Sequence, residues 1–396
     1  MNKLKNKNQK LIIYSNEKRT NDFKNFVKNF EKNFSYTTTL YLVLTNKCNL
    51  ECKYCPFPKL SKKEKILMSP EIARKGINLW ARHIYDNFDK KRDYFIIFYG
   101  GEPLLNINTL EYSLKYIEKL KKESKLPGNN LYTMVDTNGI LINNKIIRLF
   151  KRYNVMVTVG CDGPKKFNDY YRVDNKGKGT FEKVKKALIL LKKNKIKTFV
   201  SVAITPYNVL KIKDFSKFFK KYKIEKFGFN ILKGKLLLSL SPGISLKEYY
   251  TKAADGIIGN FREKQGKKYE YQMKKKVNAF FKKQFFPLDC GGYGNQLVIQ
   301  PNGEISNCPF LLNNLGNVKN YNKNFRIWKV PLVKEWRKRL PIYNRECKDC
   351  QAISICGGGC PWNAKEITGD IFKKDNAMCI FTKKVFDYFI QKIKHK

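Results

Sequence analysis

Three cysteines, Cys48, Cys52 and Cys55, share one short stretch, TNKCNLECKYCPFP, in a chain of 396 residues with only two histidines. Thiolates are ligands of soft metals and of iron–sulfur clusters. Three of them are one short of a closed tetrahedral site. A zinc site would need a fourth protein ligand close by. None is evident, since His83 and His395 both lie outside this loop. An iron–sulfur cluster tolerates the shortfall, because three thiolates leave one iron of a four-iron cluster open. A small molecule with paired amino and carboxylate groups would chelate that iron. The C-x3-C-x2-C spacing therefore favours iron–sulfur, with zinc as the alternative.

A second set of cysteines lies near the C-terminus. Cys290 is followed by Gly303 and Cys308, then by Cys347-x2-Cys350-x5-Cys356-x3-Cys360, and last by Cys379. C-x2-C is also a common zinc unit, so a zinc ribbon stays open at this point. The remaining cysteine, Cys161, sits at the end of an expected strand and reads as a packing residue.

The elements that must position these groups alternate strand and helix. TTTLYLVL, YFIIFYG, LYTMVDTNG, VMVTVGCDG, TFVSVAI and KFGFNIL read as six strands. Helical patterns separate them; one opens at Ser69-Pro70, an N-cap followed by a first-turn proline. Such alternation predicts parallel strands in a closed or nearly closed α/β barrel. Chemistry in such barrels gathers at the C-terminal ends of the strands, where the cysteine triplet lies. Beyond the barrel, QLVIQPNGEISNCPF predicts a hairpin around Pro301-Asn302-Gly303. The stretch CKDCQAISICGGGCPWN is rich in glycine and poor in core, and would need metal to hold its shape. The expected divisions are an N-terminal extension at 1–36 with an amphipathic helix near Asn21–Phe34, the barrel at 37–240 and a helical connector at 241–285. A small cysteine-rich domain at 286–385 and a tail at 386–396 complete the chain.

With 42% hydrophobic and 14% aromatic residues, the chain can supply a sizeable core. Its first residues carry charge but no apolar run long enough for a signal peptide, and no window approaches the ~20 apolar residues of a membrane span. We expect a cytoplasmic protein with no membrane partner. In that reducing compartment eleven cysteines stay as thiols or bind metal. The net charge of +47 raises the question of an anionic partner. The lysines are spread through nearly every element, without one basic stripe interleaved with aromatics. Nucleic acid is therefore not the expected partner.

The triplet after the first strand, with Tyr54 before its last cysteine, resembles that of the radical S-adenosylmethionine (radical SAM) enzymes. The second strand ends YGGEPLL, similar to their GGEP motif at Gly100, Gly101, Glu102 and Pro103. The third ends DTNG, matching their TNG turn at Thr137, Asn138 and Gly139. GCDGPKKFNDYYRVDNKGKGTF resembles a further family string, matched at Asp162, Gly163, Pro164, Asp169, Arg172, Gly177, Gly179, Thr180 and Phe181. Two positions depart from it: Gly160 stands where a serine is usual, and Asn168 where a histidine is usual. The serine's role toward the cofactor carboxylate would pass to Thr158 or to Arg172, whose planar fork suits a carboxylate. The later cysteines resemble the SPASM domain of peptide-modifying radical enzymes.

The resemblance implies a partial (β/α)6 TIM-like barrel followed by a SPASM domain with a β-hairpin. It implies three 4Fe-4S clusters and S-adenosyl-L-methionine as cofactors. Cys48, Cys52 and Cys55 would hold the cluster that binds S-adenosylmethionine. Cys290, Cys308 and Cys360 would hold a first auxiliary cluster, and Cys347, Cys350, Cys356 and Cys379 a second. Tyr54, Gly100–Pro103, Thr137, Asn138, Thr158 and Arg172 would contact the cofactor. The first auxiliary cluster would lack a fourth cysteine, with Asp289 the nearest candidate to close it. Asp136 is a geometric candidate for a catalytic polar group at the barrel mouth. The implied activity is reductive cleavage of S-adenosylmethionine to a 5′-deoxyadenosyl radical, which abstracts hydrogen from a peptide or protein. Maturation of a ribosomally made peptide, by a cross-link such as a thioether or by oxidation, leads. Anaerobic sulfatase maturation is the second reading, and a non-catalytic iron–sulfur electron carrier or nucleic-acid-binding protein the third. An electron donor such as flavodoxin or ferredoxin would be a partner.

Overall fold

The computed structural model describes residues 16–57, 65–240, 243–263 and 270–394. The N-terminal segment weighed above as a signal peptide, Pro58 of the triplet stretch, parts of the connector and His395 lie outside the described residues.

Six strands alternate with helices as the patterning requires: β1 Thr39–Thr45, β2 Tyr94–Gly100, β3 Leu131–Thr137, β4 Met156–Gly160, β5 Thr198–Ile204 and β6 Phe227–Ile231. Each pairs in parallel with its sequence neighbour. Helix α1 spans Asn16–Asn33 and precedes the first strand; α2 is Pro70–Asp86, α3 Ile107–Lys122 and α4 Asn144–Arg152. They are followed by α5 at Lys165–Tyr171, α6 at Phe181–Lys193 and α7 at Phe215–Lys221. Ser69 caps α2 as expected, its side chain accepting from the Ile72 amide at 3.2 Å. The short α5 falls inside the string GPKKFNDYYR and has no apolar periodicity long enough to announce it.

The sheet does not end with the barrel. β7 (Gln296–Ile299) lies parallel to β1, and β8 (Ile305–Ser306) returns antiparallel to β7, giving the order β6-β5-β4-β3-β2-β1-β7-β8. The expected hairpin is present, yet it is no separate sheet. Leu297, Val298 and Ile299 are fully buried, the pattern of a strand covered on both faces. At the other edge, the Glu270 carboxylate accepts the Phe229 amide of β6 at 2.8 Å and so supplies a partner the ladder lacks.

The segment between barrel and cysteines is helical: α8 Leu236–Leu240, α9 Leu246–Glu263 and α10 Tyr271–Lys282. After the hairpin come α11 (Pro331–Trp336), α12 (Pro361–Thr368) and α13 (Asn376–Lys394). Two expected divisions do not survive as separate pieces. Residues 386–394 are no tail, because α13 continues through them with Phe386 and Phe389 buried and Phe389 5.0 Å from Phe280. The N-terminal helix is likewise built in. Its phenylalanines recur at helical spacing, with Phe23 fully buried, Phe26 5.8 Å from Phe285 and Phe30 5.5 Å from Tyr293.

Candidate active site and metal centres

A cavity of about 550 Å³ opens at the C-terminal ends of the strands. Cys48, Cys52 and Cys55 all line it, as do Tyr54, Gly100, Gly101, Asp136, Thr137, Asn138, Thr158 and Arg172. Burial pushes the Cys52 thiol up to about 12, so a free thiolate is unfavourable there and a bound cation would have to stabilise it. The Leu50 amide donates to Cys48 Sγ at 3.4 Å, a contact of the kind that tunes iron–sulfur centres.

The turn after β2 fixes this loop. Gly101 donates its amide to the Thr45 carbonyl at 2.9 Å, and Glu102 donates to that of Lys47 at 2.8 Å. A Cβ on Gly100 would stand 2.2 Å from the Thr45 oxygen, and one on Gly101 2.2 Å from the Lys47 oxygen. The two glycines are therefore required by the approach of two backbones, before any ligand is considered. Glu102 and Pro103 are buried and do not line the cavity. The Glu102 carboxylate turns toward β3, accepting from the Thr137 hydroxyl at 2.7 Å, the Asn138 amide at 2.8 Å and the Leu104 amide at 3.1 Å. Burial pushes its carboxyl up to about 7 against these donors. The Glu102 side chain thus clamps two strand-end turns together.

Asp162 is the hub on the opposite side. Fully buried, it accepts the Tyr54 hydroxyl at 2.6 Å, Arg172 Nε at 3.0 Å and the Ala203 amide at 2.9 Å. Arg172 lies directly over Gly160, where a Cβ would fall 2.3 Å from Nη2. This explains the absent serine: the guanidinium occupies the space its side chain would need. Arg172 keeps its remaining donors at the cavity, while Thr158 bonds Met134 Sδ at 3.3 Å. The second departure also has a place. Asn168 is fully buried, its carbonyl oxygen accepting from the Asp162 amide and its amide reaching Asp169 and Thr180.

The C-terminal cysteines separate into two groups. Cys347, Cys350, Cys356 and Cys379 surround a small cavity of about 40 Å³. Cys290, Cys308 and Cys360 gather in an apolar cluster with Leu311, Trp336 and Trp362, and Cys360 also lines the large cavity. Amide donors again point at sulfur: Gly292 to Cys290 at 3.2 Å, Phe310 and Leu311 to Cys308 at 3.4 Å each, and Gly358 to Cys356 at 3.4 Å. Sulfur-only donor sets with such contacts fit iron–sulfur centres. Asp289 is turned away from the role considered for it. Its carboxylate meets Lys275 Nζ at 3.0 Å, lies 3.8 Å from Lys276 Nζ and accepts the Gly359 amide at 3.2 Å. Burial opposes its charge, yet Lys276 and Lys275 hold its carboxyl below the usual carboxylate range. Cys161 is fully buried in the core.

Asp136, at the end of β3, faces the cavity with one buried carboxylate oxygen that has no hydrogen-bond partner. Burial pushes its carboxyl up to about 6, with the nearby Thr158 hydroxyl opposing the shift. One wall of the cavity is aromatic and continuous. Tyr41 meets Tyr99 at 5.8 Å, Tyr99 meets Phe57 at 5.7 Å, Phe57 meets Phe310 at 6.0 Å, and Phe310 stacks on Trp362 at 5.2 Å. The sequence did not single out Phe57, Phe310, Trp362 or Lys233, which also line the space. Only Lys233 carried a signal, its position just past β6.

The Radical SAM superfamily model matches residues 42–221, and the SPASM iron–sulfur cluster-binding domain model matches residues 290–351. The radical SAM cyclopropyl synthase TigE of Paramaledivibacter caminithermalis is 27% identical over 381 residues, covering 90% of this chain and 74% of that relative. The serine-type anaerobic sulfatase-maturating enzyme of Bacteroides thetaiotaomicron is 25% identical, covering 86% of each chain. Among solved structures, anSMEcpe with bound AdoMet superposes with a TM-score of 0.73 at 22% identity, covering 90% of this chain and 98% of that one. At that identity the superposition establishes the fold.

Proposed function

Because this chain is a radical SAM protein with a C-terminal SPASM domain, we propose that it matures a ribosomally made peptide by hydrogen abstraction, forming a cross-link or an oxidised residue. One observation carries the reading. The triplet cysteines and Cys360 of the second set line the same cavity, so a substrate held there would face both. The cofactors would supply a 5′-deoxyadenosyl radical. The chain's own residues hold and shield. Arg172 would bind the cofactor carboxylate, and the backbone at Gly100 and Gly101 its amino group. The aromatic wall would exclude water from an apolar side chain. Asp136, raised toward neutrality and short of a partner, is suited to take a proton from the substrate. We take three four-iron clusters as the complement, a flavodoxin or ferredoxin as electron donor, and the cytoplasm as the compartment. No helix among the described residues is long and apolar enough to cross a membrane.

The test is anaerobic reconstitution with iron and sulfide, followed by S-adenosylmethionine and a chemical reductant. Formation of 5′-deoxyadenosine, and a mass change in a short peptide encoded beside this gene, are the expected results. Cofactor cleavage with a mass change only in a sulfatase-derived Cys or Ser peptide would select sulfatase maturation instead. No cleavage by an iron-replete protein would select a non-catalytic carrier.

A further inference from the structure

Lys233 lies two residues past β6 and lines the large cavity together with Cys360. Its place is built. The next amide, Gly234, donates to Asn363 Oδ1 at 2.7 Å, and Asn363 Nδ2 donates to Asp375 Oδ1 at 2.7 Å. The other oxygen of Asp375 accepts the Cys360 amide at 2.8 Å. Gly234 holds a φ of +83°, and a Cβ there would meet the Trp362 ring at 3.0 Å. The turn bearing Lys233 and the loop bearing Cys360 are thus fastened to the same two side chains. Among the described residues no carboxylate reaches Lys233 within ion-pair distance. Burial opposes its charge, and the nearby Cys360, Asp375, Asp289 and Cys290 outweigh that and hold the ammonium above the usual lysine range.

A partly desolvated ammonium without a contacting counter-ion is costly unless something nearby is negative. Three thiolates around one iron–sulfur centre are such a partner, and one more electron on that centre makes the match better. We propose that Lys233 is the positioning charge of the Cys290–Cys308–Cys360 site: it raises the reduction potential of the centre held there and so makes that centre the electron acceptor facing the substrate space. The inference rests on the reading that these cysteines hold a redox centre. Lysine suits the task because its charge is a compact point on a flexible stem. The four-cysteine site has a different neighbour: Lys276 is fully buried, with Nζ donating to the Ile355 carbonyl at 2.8 Å. The two sites are thereby separable by mutation.

The experiment is a potentiometric titration of the reconstituted full chain followed by electron paramagnetic resonance, with iron counted in each sample. Lys233→Gln is expected to shift one centre to a lower midpoint and leave the other two in place. Lys233→Arg, which keeps the charge, should restore it. Unchanged midpoints in Lys233→Gln at full iron content overturn the inference and leave the three-centre reading standing. Wild-type protein that binds iron only at the triplet overturns both. Should Lys233→Gln lose iron, Lys233→Met is the second neutral variant. Loss of iron from both, with Arg retaining it, overturns the tuning role and makes Lys233 a structural counter-charge.

Discussion

The loop carrying Cys48, Cys52 and Cys55 hangs from strand ends already tied to one another. The loops carrying the other seven candidate ligands hang from far less regular structure. On the barrel side, Gly101, Glu102, Asn138 and Asp162 link the end of β1 to β2, β2 to β3 and β4 to β5 by short hydrogen bonds. On the C-terminal side the elements are a two-residue strand, short helical turns and helices of six and eight residues before α13. That side borrows its order, β7 from β1 and Asn363 from Gly234. A preformed barrel mouth can await its cofactor, whereas a loop-built wall must be held by what it binds.

Stripping iron tests this contrast most severely. In chelator-treated protein, hydrogen exchange across residues 290–379 should speed up by about 100-fold or more, as expected when a metal-held unit opens locally. Strands β2 to β5 should keep their protection. Equal loss in both regions would mean that the barrel also depends on its metal. The second test works from the other side. Replacing Cys48, Cys52 and Cys55 with alanine should remove about four irons per chain and abolish cofactor cleavage. Exchange in residues 290–379 should not change; if it does, the two regions are one unit.

The same contrast decided what the sequence revealed. The six strands and their helices were legible because each is a long apolar run with a capped or charged partner helix. YFIIFYG and TFVSVAI match β2 and β5 residue for residue. The grouping of the cysteines came from the family resemblance and not from spacing, which left a zinc ribbon open. Three things were not legible. The junction of β7 with β1 is a non-local pairing with no mark in either segment. The bonds of Glu102 to Thr137 and Asn138 were not legible, because a buried carboxylate at a strand end reads the same whether it faces a ligand or another turn. Lys233 was hidden among eighty basic residues, since its meaning depends on a neighbour at position 360.

Single substitutions sharpen the comparison. Asp162→Ala removes the acceptor of Tyr54, Arg172 and Ala203 at once and leaves a mostly buried guanidinium unpaired. A loss of roughly 3–5 kcal/mol is expected in denaturant titration, together with loss of S-adenosylmethionine binding. Asp375→Ala on the other wall removes the acceptor of the Cys360 and Ala377 amides. Its expected cost is about 1–3 kcal/mol, measured on iron-loaded protein. A larger effect from Asp375 than from Asp162 would reverse the ranking of the two walls.

The smallest effect is a difference in the sign of a pH dependence. Glu102 has its carboxyl raised from 4.5 to about 7 by burial. The folded chain therefore holds that proton where the unfolded chain has lost it. Its contribution to stability is full below pH 4.5 and falls as pH rises through the window to about 7. Asp289 is the opposite case, lowered from 3.8 by Lys276 and Lys275 although burial opposes its charge. Its contribution is present above 3.8 and fades as pH falls below that value. As pH rises from 4.5 to 7, the urea midpoint of wild type should fall further than that of Glu102→Gln, by about 1–3 kcal/mol over the window. Asp136 and Glu270 are raised in the same direction and persist in the variant, so the slope should become shallower without vanishing. Asp289→Asn should track wild type throughout that window and differ from it only in acid. If Glu102→Gln also tracks wild type from pH 4.5 to 7, the carboxylate is already ionised in the folded barrel. The three donors on Glu102 would then outweigh its burial, and the two walls would share one electrostatic design.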